Sequence, residues 1–151
     1  MKFFKLTLFM LPFFGSIYAQ DLSVKDLTCE HKKNPIGIDA TQPRFSWKIN
    51  GTGNNIMQSA YSIRVATDWK FSSGKIVWQS GKTGSDESVL QAYKGPELKS
   101  GLRYFWQVKI WDNKGRESKW SEAAFWEMGL LSQSDWKAKW IEMEGDTIRY
   151  S

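Results

Sequence analysis

The single cysteine, Cys29, stands two residues from the single histidine, His31. A thiol with an imidazole for its base is a nucleophilic pairing, and catalysis of that kind also uses a third group to orient the base. On a strand, residues two apart share a face, so the two side chains could meet. Nothing nearby orients His31, and Cys29 reads as a small buried hydrophobe. With one cysteine there is no internal disulfide. The other candidates are acidic. Paired carboxyls can serve as general acid and base, and Glu142, Glu144 and Asp146 supply carboxyls close in sequence. A site also needs a rigid supporting shell, and these three follow Ile141 as a solvated acidic tail. Asp86, Glu87 and Asp112 fall in expected turns, as ordinary turn and solvation residues. The sequence has no phosphate loop, metal-ligand cluster or Ser-His-Asp constellation. The expectation is therefore no catalytic, no cofactor-binding and no metal-binding residue, and no cofactor.

The elements around these residues read as strands divided by turn chemistry. Leu22 to Glu30 alternates with a bend, Leu22 and Val24 first, then Leu27 and Cys29. Phe45, Trp47 and Ile49 alternate with Arg44, Ser46 and Lys48, the period of a half-buried strand. Ala60 to Thr67 places Tyr61, Ile63 and Val65 inward and Ser62 and Arg64 outward. Lys75 to Ser80 and Ser88 to Tyr93 are shorter strands, with Gly81 to Glu87 a polar connection and Lys94-Gly95-Pro96 a break. Tyr104, Trp106, Val108 and Ile110 share one face of the next strand, and Phe105, Gln107, Lys109 and Trp111 the other. Asp112-Asn113-Lys114-Gly115 is a hairpin loop. The last strand runs from about Trp120 to Met128. About seven strands at regular spacing predict an all-β, seven-stranded antiparallel sandwich.

Aromatics make up 15% of the chain, with nine tryptophans, enough large apolar surface for one core. Trp47 and Trp106 are expected inside it. Phe105 and Trp111, on the opposite face, form either a glycan platform or a patch that docks a neighbouring domain.

Lys2, Lys5, the apolar run Leu6 to Phe14 and Ala19 have the layout of a signal peptide spanning residues 1–19. The run is too short for a membrane span, which needs roughly 20 residues. A secreted or periplasmic location follows, with no membrane span after cleavage. N-terminal sequencing of the exported product should find Gln20 first. Recovery of only the full-length chain in the cytosol would contradict this. Removing Lys2 and Lys5 leaves 19 basic against 16 acidic side chains. That mild excess is spread along the chain and predicts no nucleic-acid partner.

Leu98-Lys99-Ser100-Gly101-Leu102-Arg103-Tyr104 resembles the tyrosine corner of fibronectin type III domains, in which a phenol hydroxyl bonds back to the preceding crossover. Ser118-Lys119-Trp120-Ser121 resembles half of the Trp-Ser signature at their final strand, with Lys109 a candidate cation over Trp120. Three further blocks are similar to the opening of bacterial α-L-rhamnosidases of glycoside hydrolase family 78. The first is Leu27-Thr28-Cys29-Glu30 with Asn34-Pro35-Ile36-Gly37-Ile38-Asp39 and Pro43-Arg44-Phe45-Ser46-Trp47. The second joins Trp120-Ser121-Glu122 to Phe125-Trp126-Glu127-Met128-Gly129-Leu130-Leu131, and the third is Asp135-Trp136-Lys137-Ala138-Lys139-Trp140-Ile141.

The resemblance implies an immunoglobulin-like (fibronectin type III) sandwich at 20–129, a linker at 130–141 and the start of an incomplete next β-domain at 142–151. It implies a non-catalytic accessory domain of an exported enzyme that hydrolyses terminal α-L-rhamnosides with inversion. The catalytic carboxylates of such enzymes lie in a later barrel domain and match nothing here. The implied partners are the downstream domains and rhamnose-containing glycans of plant type. The alternative is a free-standing carbohydrate-binding or adhesion-type fibronectin III module. Asn50-Gly51-Thr52 has the form of a glycosylation sequon, but in a bacterial chain it is a polar hairpin turn.

Overall fold

The computed structural model describes residues 22–137. The expected signal peptide, Trp140, Ile141, Glu142, Glu144 and Asp146 lie outside the described residues. Period-two patterning builds two sheets. In one, β1 (Leu22–Cys29), β2 (Arg44–Gly51) and β6 (Gln91–Ala92) run in that order. In the other, β4 (Ile76–Gln79), β3 (Gln58–Ala66), β7 (Arg103–Asp112) and β8 (Ala124–Glu127) lie side by side, and β5 (Thr83–Gly84) also pairs with β3. All strand pairings are antiparallel. β4 meets β3 at Arg64–Ala66 and β5 meets it at Ala60–Tyr61, along the edge opposite β7. The two are successive pieces of one edge strand, so eight strands fill seven positions.

The core sits between the sheets. Tyr104, Trp106, Val108 and Ile110 are all buried, as the alternation in β7 requires. The register sets Val65 beside Trp106 and Ile63 beside Val108. Across the gap, Phe45 stacks on Trp106 with ring centroids 4.4 Å apart, and Trp126 lies 5.3 Å from both Phe45 and Tyr104. Such offset contacts between large rings contribute beyond their buried area.

The bend in β1 is a bulge. Lys25 pairs with Lys48 and Thr28 with Ser46, so Asp26 and Leu27 together oppose Trp47. The extra residue shifts the alternation by one, and the buried set passes from Leu22 and Val24 to Leu27 and Cys29. Asp26 takes a positive φ of 53° and faces outward, where it pairs with Lys48 and Lys33. The Lys48 ammonium holds its carboxyl below the ordinary range.

Four expectations change. Ser62, expected outward, is buried, because β3 is an interior strand whose outer face is also covered. The expected strand over Ser88–Tyr93 contracts to β6, since Leu90 takes a φ of 54° and donates its N–H to the Ser46 hydroxyl. The polar connection at Gly81–Glu87 contains β5. The last strand begins at Ala124, not near Trp120.

The loop 34–38 does more than connect. Glu127 N donates to Pro35 O, Ile38 N to Glu127 O and Gly129 N to Ile38 O. Ile38 and Met128 form a parallel bridge. The loop thus covers the free edge of β8, which would otherwise offer unpaired backbone groups to another chain. A Cβ on Gly129 would lie 3.4 Å from the carbonyl group of Gly37, an ordinary van der Waals contact, so the loop packs closely against the end of β8.

Candidate functional site

The possible nucleophile is taken apart by the fold. Cys29 is 1% exposed, and burial pushes its thiol up to about 12, with Glu30 adding to the effect. His31 is not on the strand with it. Cys29 and Lys32 exchange backbone hydrogen bonds around a tight turn, in which Glu30 and His31 both take positive φ. His31 points to solvent while Cys29 lines the core. The expectation that the pair shares a face fails because the strand ends at Cys29. A buried neutral thiol is inert.

Asp86 and Glu87 are exposed in the connection after β5. Asp112, expected as a solvated turn residue, is instead buried. Its carboxylate accepts from Lys114 N at 2.9 Å, Arg116 N at 2.8 Å and Arg116 Nε at 2.7 Å. It anchors the β7 hairpin turn and has no room to meet a substrate. Among the described residues, no group of three or more His, Cys, Asp or Glu side chains gathers to hold a metal.

The tyrosine corner is present: Lys99 N donates to the Tyr104 hydroxyl at 2.9 Å. Leu98 is buried beside it. The Trp-Ser element also forms, by an uneven register. Ser118 donates its backbone N–H to Ile110 O, and its hydroxyl oxygen accepts from Ile110 N in place of a backbone carbonyl. Ser121 does the same with Val108. Three residues therefore cover the span of two on β7, which rules out a regular ladder and leaves Trp120 projecting outward.

There Trp120 joins a row of alternating rings and cations on the outer face of the larger sheet. The Arg64 guanidinium lies 4.6 Å from the Phe71 ring and 4.3 Å from Trp120. Lys109 Nζ lies 5.1 Å from Trp120 and 5.0 Å from Trp111, and Lys82 Nζ 4.6 Å from Trp111. Lys109 also pairs with Glu117 and holds that carboxyl below its ordinary range, and the Glu117 carboxylate accepts from Trp111 Nε1 at 3.0 Å. Lys109 was legible as a partner of Trp120, and Arg64 was not. Each contact of this kind is worth about 0.5–1 kcal/mol at an exposed site. Trp111 is thus engaged by two ammonium groups and a carboxylate, which disfavours it as a bare sugar platform. Phe105 is half-buried, with Phe125 6.3 Å away.

The second prominent surface is at the end of the sandwich where β8 leaves it. Met128 N donates to Leu102 O, and Gly101 N to Gly129 O. Leu131 packs partly buried against the core, and its N–H donates to the Ser100 hydroxyl at 3.0 Å. That hydroxyl donates in turn to Asp135. Ser132 and Asp135 form a reciprocal cap on the 3₁₀ turn Gln133–Asp135. Leu130 and Trp136 line one concave surface here and stay exposed, Trp136 at 62%; Leu102, bonded to Met128, and Ile36, in the loop that edges β8, are exposed too.

Comparison with known proteins decides the family. A family described as the Rha78A-like, N-terminal immunoglobulin domain matches residues 24–132. The chain belongs to that family. An alpha-L-rhamnosidase of Streptomyces avermitilis is 46% identical over 120 residues, which are 80% of this chain and 12% of that protein. One from Formosa agariphila is 45% identical over 119 residues, 77% of this chain and 12% of its own length. The crystal structure of the Streptomyces avermitilis alpha-L-rhamnosidase complexed with L-rhamnose superposes with a TM-score of 0.76 at 45% identity. It is matched over 80% of this chain and 12% of the crystallised one. The chain therefore spans about an eighth of the length of these relatives. Two of the blocks that carried the resemblance, 34–39 and 125–131, are the segments that pair along the edge of β8 in this Rha78A-like immunoglobulin domain.

Proposed function

We propose that this Rha78A-like immunoglobulin domain is the non-catalytic N-terminal part of an exported α-L-rhamnosidase, and that it serves by docking against the domains that follow. The observation that carries the reading is the apolar end at Ile36, Leu102, Leu130 and Trp136. Exposed apolar side chains gathered on rigid backbone mark an interaction surface. These surround the point where the described chain leaves the sandwich, so the chain's continuation is the nearest partner. The proposed organisation is a signal peptide at 1–19, the sandwich at 20–129, a connector at 130–141 and the start of a further β-domain at 142–151. Export rests on the leader's layout. No helix among the described residues is long and apolar enough to cross a membrane.

The purified chain is expected to release no aglycone from an aryl α-L-rhamnoside. Turnover above a buffer blank would overturn the non-catalytic reading. A chain ending at Gly129 should scatter less light than the full chain, because Leu130 and Trp136 are gone. It should also lose about 1 kcal/mol of stability with the Leu131 contact and its hydrogen bond to Ser100. A full chain that is monodisperse and unchanged by the truncation would contradict the docking role.

A further inference from the structure

Seven tryptophans besides Trp78 lie among the described residues, and each is committed. Trp47, Trp106 and Trp126 are buried in the core. Trp69, Trp111 and Trp120 each have a cation over the ring. Trp136 belongs to the apolar end already described. Trp78 is different. It is half-buried on β4, carries no cation, and meets Tyr93 edge-on with centroids 5.0 Å apart. It walls a cleft of about 260 Å³ between the edges of the two sheets.

The rest of that lining is polar. It includes the hydroxyls of Tyr61, Ser80 and Thr83, the Gln79 amide and the Lys94 ammonium, and no carboxylate. Two of the hydroxyls are held in place. Tyr61 donates to Gln91 Oε1 at 3.0 Å, and Ser80 accepts from Ile63 N at 2.9 Å and donates to Gly81 O at 2.8 Å. The backbone opposite is fixed as well. A Cβ on Gly95 would lie 2.7 Å from Trp78 Cβ and 2.3 Å from the Tyr93 hydroxyl, so the chain after Lys94 passes directly against the base of the Trp78 side chain and the Tyr93 phenol. Gln79 and Lys94 are exposed and make no side-chain hydrogen bond to another described residue. They offer donors and an acceptor at the rim.

We propose that this cleft between β4, β5 and β6 binds one sugar residue of a glycan, with Trp78 against an apolar face of the ring and Gln79 and Lys94 bonding its hydroxyls. A concave wall with an aromatic side and a few convergent polar groups is the general form of a small-ligand site. A sugar ring has both an apolar C–H face and a hydroxyl rim. The lack of a carboxylate disfavours cationic ligands. The inference does not depend on which glycoside a parent enzyme cleaves, nor on whether this domain docks.

The test is titration of the full chain with methyl α-L-rhamnoside and, separately, methyl β-D-glucoside, followed by amide and indole NMR shifts. Saturable shifts at Trp78 and its neighbours with at least one glycoside are expected, at a Kd on the order of 1 mM, a weak single-residue affinity. Gln79→Ala and Lys94→Ala, both at exposed positions, should each weaken binding about fivefold, the value of one hydrogen bond. Their melting temperatures should match the parent chain. Trp78→Ala is the less informative variant, since the ring also packs on Tyr93. Absence of saturable shifts with both glycosides up to about 50 mM would overturn the proposal. So would shifts centred on Trp111 or Trp136, or affinity unchanged by both rim substitutions.

Discussion

Replacing Trp106 by alanine is expected to remove about 3–5 kcal/mol of stability, the range for deleting a large aromatic from a packed core. For a domain of this size that is a large part of the whole, which is normally about 5–15 kcal/mol. The residue is 0% exposed, sits mid-strand in β7 and touches both layers. Its ring stacks on Phe45 of the opposite sheet, and its backbone pairs with Val65 and Ala124 on either side. No small shift of one sheet closes the cavity, because Trp126 already fills the neighbouring space against Phe45 and Tyr104. The indole N–H of Trp106 finds no acceptor among the described residues. Trp106→Phe keeps a ring against Phe45 and removes that unpaired donor, whose burial is itself unfavourable. The phenylalanine variant should therefore recover most of the loss. Urea unfolding of the three chains measures both. A loss below about 1 kcal/mol for the alanine variant would place Trp106 outside the core.

Trp106 is legible in the sequence through the uninterrupted alternation from Tyr104 to Ile110, which only one sheet face satisfies. The bulge in β1 was half legible. Leu22 and Val24 followed by Leu27 and Cys29 is a change of phase, and a change of phase within a strand is an extra residue. The kink at Leu90 was not legible, since a branched side chain at positive φ goes against local preference and is imposed by Ser46 and its neighbours. Nor was the match of Arg64 with Trp120. It depends on the register that puts Arg64 beside Gln107, and on Ser118 and Ser121 stretching three residues over two. Long-range register is not written in either segment alone. The Trp78 cleft was hidden for the same reason. Its walls come from β3 and the edge strand β4–β5 on one sheet and the β6 edge on the other, so spacing along the chain gives no sign of it. The apolar end was partly visible, in Trp136 and the run from Met128 to Leu131. Ile36 and Leu102 join it only through the bonds that tie loop 34–38 and Leu102 to the end of β8.

Asp112→Ala should be the most damaging change at a charged position, at about 3–5 kcal/mol, because it removes a buried carboxylate that two backbone N–H groups and a guanidinium share. Arg116 lies 2.6 Å from the Asp112 carboxylate and is 28% exposed. The same carboxylate also accepts two backbone N–H groups, from Lys114 and Arg116, which close the turn at Asn113-Lys114-Gly115. Burial alone would raise the carboxyl's pKa. The bonds from the Arg116 backbone and guanidinium and from Lys114 N outweigh it and hold the group below the ordinary carboxylate value. The sign of the pH effect follows. In the window between the folded and the ordinary pKa, the unfolded chain binds the proton and the folded chain does not, so stability rises with pH there. The contribution is complete above about pH 4, near the unperturbed aspartate value. It is lost as the pH falls through the lower folded value. Asp112→Asn keeps one oxygen for the backbone donors but presents an amide N–H₂ or a neutral oxygen to Arg116. That variant should be destabilised at neutral pH, and its deficit should shrink as the solution is acidified. Unfolding free energies of the parent and Asp112→Asn chains, measured from about pH 7 down to about pH 2, should converge at the acid end. Parallel curves across that range would mean that folding does not shift the Asp112 pKa and that the Arg116 pair does not hold the turn.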